Sequence, residues 1–212
     1  MRWRIDSVVI GRTTFGLLGG VLSAFAALSA EAQPSVAAPG SPVAVVMELH
    51  AGLVAAAADA GLDLAGRHAA LQPLVARTHD LEYIARLTIR RQWDELTAEQ
   101  QQRFVSAFGR LSVMTYASRF ANVSSDAFMV LGSEDAGNGR VQVHAAITRA
   151  DGADVSLDYL LHETGAGWRI VNILADQVSD LALKRAEYQR VLGTGSIDDL
   201  LAEIEAQIAR LR

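Results

Sequence analysis

The alternation inside the segment from Gly139 to Leu192 constrains this chain more than any other feature. Val141, Val143, Ala145 and Ile147 alternate with polar residues, and so do Val155, Leu157, Tyr159 and Leu161. A period of two puts each set on one face of a strand, so the pair reads as an antiparallel hairpin with one apolar side. Setting apolar against apolar pairs Val143 with Tyr159 and Ile147 with Val155, which leaves Ala150-Asp151-Gly152 as the loop. Such a loop closes on a left-handed residue, and Gly152 supplies it. A shorter Asp-Gly turn would slip the register by one and set Gln142 and Thr148 on the apolar face. Trp168 to Ala175 reads as a further long strand, with Ile170 and Leu174 on one face and Val171 and Ile173 on the other. A strand that is apolar on both faces is covered on both.

Helices are expected on either side of this sheet. Ser41-Pro42 opens the first, with Ser as N-cap and Pro at the first helical position, and Gly61 stops it. Residues 64–92 divide into two short helices, the second capped by Asp80 with Ile84 and Leu87 turned inward. Thr97-Ala98-Glu99-Gln100 is a capping box that opens the longest helix, from Ala98 to about Ala121. Phe104, Phe108, Leu111, Met114, Tyr116 and Phe120 give that helix a broad aromatic stripe. Asp126 to Leu131 is expected as a short strand, and GSEDAGNG after it as a loop. Ser179 caps a return helix carrying Leu181, Tyr188 and Leu192, and Gly193 ends it. Ser196 opens a last helix whose buried face is Ile197, Leu200, Leu201, Ile204, Ile208 and Leu211. The expected class is α+β: a curved antiparallel or mixed sheet of about four strands with several helices, the N-terminal half being helical.

The first residues read differently. Arg2, Arg4 and Arg12 precede an apolar run from Phe15 to Leu28, and Ala30-Glu31-Ala32 has small residues where a signal peptidase reads them. The run falls short of the roughly 20 residues that span a bilayer. Residues 1–32 are therefore expected to be a cleaved signal peptide, 33–40 a Pro/Ala linker and 41–212 one domain. Cleavage takes the net charge from −5 to −6. An acidic domain without a basic stripe is a poor partner for nucleic acid. With no Cys, an exported chain carries no disulfide framework.

Candidates for chemistry are few. None of the five His stands in an HxH or HExxH spacing, so no metal site is expected; His50 and His68 read as exposed helix residues. The hairpin register sets His144 opposite Asp158, on the face away from Val143 and Tyr159. With no GxSxG or other fixed nucleophile, this is a cross-strand pair and not part of a triad. Asp176 and Ser179 read as turn and cap. The chain is expected not to be an enzyme and to need no cofactor.

Three stretches, HDLEYIARLTIRRQW, LTAEQQQRFVSAFGRLSVMTYASRF and GWRIVNILADQVSDLALKRAEYQRVL, together resemble the toluene-tolerance/MlaC family of periplasmic phospholipid-binding proteins. The last is most similar to the hopanoid-biosynthesis-associated branch. The resemblance covers roughly Ser41 to Leu211. It implies an NTF2-like sheet-and-helix domain with lipid hydrocarbon sunk between sheet and helices. It also implies a periplasmic carrier moving phospholipid or hopanoid between an inner-membrane lipid transporter and the outer membrane, where a lipoprotein complex is a further partner. Four positions depart from the family pattern: His79 stands where an aromatic usually precedes Asp80, Arg90 lies near an expected Gly, and Asn172 and Gln177 replace an Asp and a Gly.

A carrier of this kind needs a dry slot, because each methylene kept from water contributes about 0.8 kcal/mol. The expected lining is Phe104, Phe108, Leu111, Tyr116 and Phe120 from the long helix, Val143, Val155, Leu157, Tyr159 and Ile170 from the sheet, and Leu181 and Tyr188 from the return helix. Exposed cations near Arg90, Arg91, Lys184 and Arg185 would meet head groups or a docking protein. Two other classes compete with the carrier: an NTF2-like isomerase or dehydratase, and a non-catalytic structural or adaptor protein. The residues alone describe an exported α+β domain; the lipid enters only with the resemblance.

Overall fold

The computed structural model describes residues 37–149 and 152–212. The expected signal peptide, the start of the linker, and Ala150 and Asp151 of the hairpin loop lie outside them.

Four helices come first: α1 (Pro42–Ala58), α2 (Leu64–Thr78), α3 (Leu81–Trp93) and α4 (Ala98–Arg119). Their starts are fixed by side chains that satisfy otherwise orphaned backbone donors. Ser41 accepts from Ala44 N, Asp63 from Gly66 N and Asp80 from Tyr83 N. Thr97 and Gln100 form the reciprocal box at 3.2 and 2.9 Å. α1 ends at Ala58, ahead of the expected Gly61, where Asp59 turns to an extended conformation. α3 is kinked at Arg90, whose φ of 17 and ψ of −76 leave the helical region close to where the family pattern has Gly.

The sheet has five strands in the order β1 (Phe128–Gly137), β2 (Arg140–Thr148), β3 (Asp154–Thr164), β4 (Gly167–Ala175) and β5 (Val178–Ser179), every pair antiparallel. β2 and β3 pair in the expected register, Val143 with Tyr159 and Ile147 with Val155, and Gly152 has φ +80. The expected loop GSEDAGNG is a correction. Most of it continues β1 along β2, with bulges between Val130 and Gly132 and between Asp135 and Gly137. The turn itself is Asn138-Gly139, both at positive φ, as a tight hairpin requires.

β4 brings a second correction. A bulge opposite Leu160 and Leu161 places an extra residue in β4, so Leu161 faces Ile170 while Leu160 faces Asn172. One inserted residue inverts the alternation downstream of it. Ile173 therefore joins Ile170 on the inner face, and Val171 packs on the outer one. The replaced family positions are also accounted for. Asn172 Oδ1 accepts from Ser179 Oγ and Leu181 N, as an Asp oxygen would. Gln177 sits at φ 65, where Gly is the easier residue, and its amide donates to Asp158 Oδ2 at 3.0 Å.

Helices α5 (Asp180–Leu192) and α6 (Ile197–Leu211) complete the fold, capped by Ser179 and Ser196. Two apolar clusters hold it together. The inner sheet face packs against α1, α2 and the C-terminal half of α4 through Val46, Leu49, Leu53, Leu71, Val75, Val113 and Ala117. The N-terminal half of α4 packs with α3, α5, α6 and the outer-face residue Val171 through Phe104, Phe108, Ile89, Tyr188, Leu200 and Ile204. Among the described residues no helix is long and apolar enough to cross a membrane.

Candidate functional site

The two clusters divide the expected slot. Val143, Leu157, Tyr159 and Ile170 lie in the inner-face cluster, with Tyr116, Phe120 and Val155 half-buried against it. Phe104, Phe108, Leu111 and Tyr188 lie in the other cluster, with Leu181 at its margin. The expected lining residues are thus shared between two packed clusters and do not face one common space here. Phe104 and Tyr188 are fully buried against each other, ring centroids 6.0 Å apart, inside a filled helical core.

On the inner face the cross-strand register sorts side chains into rows. Val143 and Tyr159 stand beside Ile173; Ala145 and Leu157 stand beside Val130 and Ala175. These rows are largely closed over by α1, α2 and α4. The next row, Phe128, Ile147 and Val155, is half-buried throughout and ends the wall at the β2–β3 loop.

A run of aromatic rings borders this wall. His50 of α1 stacks on Phe128 at 4.1 Å and meets Tyr159 edge-on at 5.4 Å. Phe128 meets Phe120, and Phe120 meets Tyr116, both at 5.8 Å. Tyr116 then meets His79 at 5.6 Å. Hydrogen bonds tie both ends: His50 Nε2 to the Tyr159 hydroxyl at 2.8 Å, and His79 Nε2 to the Tyr116 hydroxyl at 2.9 Å. The α2–α3 junction that carries His79 is itself held to the sheet, since His79 bridges Ile170 and Asp80 N donates to Ile170 O at 3.1 Å.

His50 is the clearest departure from expectation. It is 6 % exposed and not a surface residue. The signal lay in its spacing, four after Val46 and three before Leu53, both buried on the same stripe of α1. Phe128 lies in the strand expected over Asp126 to Leu131 but was not placed in the lining, although its alternation with Val130 marks an inward face. Burial lowers both His50 and His79 to about 4, so both rings are neutral at physiological pH. Burial likewise pushes the Tyr159 and Tyr116 hydroxyls upward, and Tyr159 adds to the rise at Tyr116. These are neutral polar groups set in an apolar wall.

The outer face carries the other ionisable cluster. His144 Nδ1 lies 2.6 Å from Asp158 Oδ1 and its Nε2 lies 3.4 Å from Glu134 Oε1. Asp158, only 5 % exposed, also accepts from Gln177. The pairing is the cross-strand one expected, and the sheet separates it from the aromatic run. At the far end of the sheet, His162 bonds Asp80 and Arg140 donates to the Tyr83 hydroxyl, which clasps α3 to the strands. Two surface grooves of about 580 and 410 Å³ border α4 and α6, and their rims carry Arg103, Arg110, Asp198 and Glu205. Those groups are engaged as Arg103–Asp198 and Arg110–Glu205 ion pairs.

Fold and site thus define an α+β domain whose sheet presents an aromatic-bordered apolar wall to a helical cover. A family model described as MlaC protein matches residues 44–206, and the chain belongs to that family. Among solved structures it is similar to a phospholipid-binding protein from Ralstonia solanacearum, determined in complex with a phospholipid. The identity is 20 % and the TM-score 0.69, covering 82 % of this chain and 99 % of that one. No curated protein matches.

Proposed function

We propose that this protein is a periplasmic lipid carrier that shelters hydrocarbon, of a phospholipid or a hopanoid, between the inner sheet face and α1, α2 and α4. It binds and transfers; it does not catalyse. The observation that carries this reading is family membership over residues 44–206, together with an inner wall bordered by rings at its half-buried end. The likeness to a protein solved with a phospholipid supports the same reading.

The structure described here has its inner wall shut: Val143, Leu161 and Ile170 show no exposure at all. Loading therefore requires the cover to lift from the sheet, and the row Phe128–Ile147–Val155 is where a tail would enter. The guest would replace contacts among wall side chains with contacts to itself, so apolar burial is exchanged and not lost. An inner-membrane lipid transporter would supply the guest, and an outer-membrane lipoprotein complex would exchange it. Residues 1–32 would direct export and be removed.

Native mass spectrometry of protein taken gently from cells, followed by organic extraction, tests the reading. A hydrophobic adduct of lipid mass, and uptake of labelled lipid from vesicles, are expected. Clean apo-protein with no uptake would end it.

A further inference from the structure

The hydrogen bonds around His79 have a direction that the donors themselves fix. Thr78 Oγ1 has one proton and donates it to the Leu74 carbonyl at 2.8 Å, one turn back in α2. Toward His79 Nδ1, 2.9 Å away, the same oxygen can only accept, so Nδ1 holds the ring proton. The ring is neutral because it is buried, which leaves Nε2 bare, and Tyr116 O–H donates to it at 2.9 Å. Every proton in the relay is thereby used, from Tyr116 through the imidazole to the backbone of α2.

What remains is the Tyr116 oxygen. It keeps lone pairs, and no donor among the described residues is directed at it. It lies against the inner-face cluster beside Phe120, with Tyr159 close enough to influence it. A pure hydrocarbon gains nothing from the remaining bare acceptor in its wall, whose proton is already committed to His79. A guest with an O–H in its buried part would gain a hydrogen bond there that water no longer offers.

We propose that the compartment recognises a lipid alcohol, whose hydroxyl is received by the Tyr116 oxygen held in place by His79 and Thr78. This rests on the carrier reading and adds the chemical class of the guest. His79 acts here as a positioning residue, because its contact with the guest runs through Tyr116.

The test compares matched lipids on the intact protein. Palmitate and 16-hydroxypalmitate, then stearate and 12-hydroxystearate, are titrated into wild type, Tyr116→Phe and the paired His79→Phe/Tyr116→Phe variant. The paired variant removes donor and acceptor together, so no lone imidazole is left buried to upset folding. For at least one lipid pair, the ratio of plain-acid Kd to hydroxy-acid Kd is expected to be about fivefold higher in wild type than in the variants. Because each ratio is taken within one protein, any general change in affinity for acyl chains cancels from the comparison. If all acids bind and the ratios are the same in every protein, the inference is overturned and the carrier reading stands. If neither the acids nor phosphatidylglycerol from vesicles bind wild type, the carrier reading falls and this inference falls with it.

Discussion

His50 Nε2 lies 2.8 Å from the Tyr159 hydroxyl, joining α1 to β3 across the inner wall with both groups buried. Neither group is charged at neutral pH, so the bond carries no Coulombic attraction for salt to screen. Its vulnerability is to protons.

Acid should weaken the fold through His50 and His79. Each has a native pKa of about 4 against 6.5 when unfolded, so unfolding takes up protons between those values. Stability is whole above about pH 6.5 and falls as the pH drops toward about 4. The loss from neutral to about pH 5 is on the order of 2 kcal/mol per ring. Urea midpoints measured at both pH values check this, and His50→Phe should remove about half of the difference. An unchanged pH slope in that variant would show that the ring is not buried neutral.

His144 should behave in the opposite sense. Its hydrogen bond to Asp158 raises its pKa first of all, opposed by some desolvation and helped by the charges of Asp158 and Glu134. A raised native value means the stabilisation is present below the unfolded pKa and is lost as the pH rises through the native one. An NMR titration should place His144 above an ordinary histidine, and Asp158→Asn should bring it down. A His144 titration indifferent to that substitution would contradict the pairing.

Two tyrosines should respond oppositely to loss of the hydroxyl. Tyr188 is fully buried and its hydroxyl has no hydrogen-bond partner among the described residues, so Tyr188→Phe should leave stability unchanged or raise it by about 1 kcal/mol. Tyr159→Phe strands the His50 nitrogen and should cost about 1–3 kcal/mol. Thermal melts of the two variants side by side decide the matter.

Leu157 stands between Ala145 and Ala175 in the same cross-strand row, with small neighbours on both sides. Leu157→Trp should lean over those alanines and occupy the space proposed for a guest. Uptake of labelled lipid from vesicles should vanish while circular dichroism stays native. Undiminished uptake would place the guest elsewhere.

Much of the architecture was legible because local chemistry and burial agree. The β2–β3 register followed from alternation alone, and the helix starts followed from capping residues. The start of β1 was legible within Asp126 to Leu131, but its continuation was not, since GSEDAGNG is polar and glycine-rich, although Asn138-Gly139 carried the hairpin signal. The β4 bulge leaves no mark on hydrophobicity, because residues on both faces are apolar. The candidate site was half legible for a reason of length. At 22 residues α4 extends roughly 33 Å, enough to serve two cores, and a continuous stripe does not say where one gives way to the other.

That shared helix has a mechanical consequence. Its first turns are rooted among Phe104, Phe108 and Tyr188, away from the compartment proposed for a guest, while its last turns rest on the sheet. A beam clamped at one end can flex at the other without working loose. Cargo exchange and resistance to unfolding can therefore be tuned by separate sets of mutations, which is the freedom a shuttle needs if it must open often and still last.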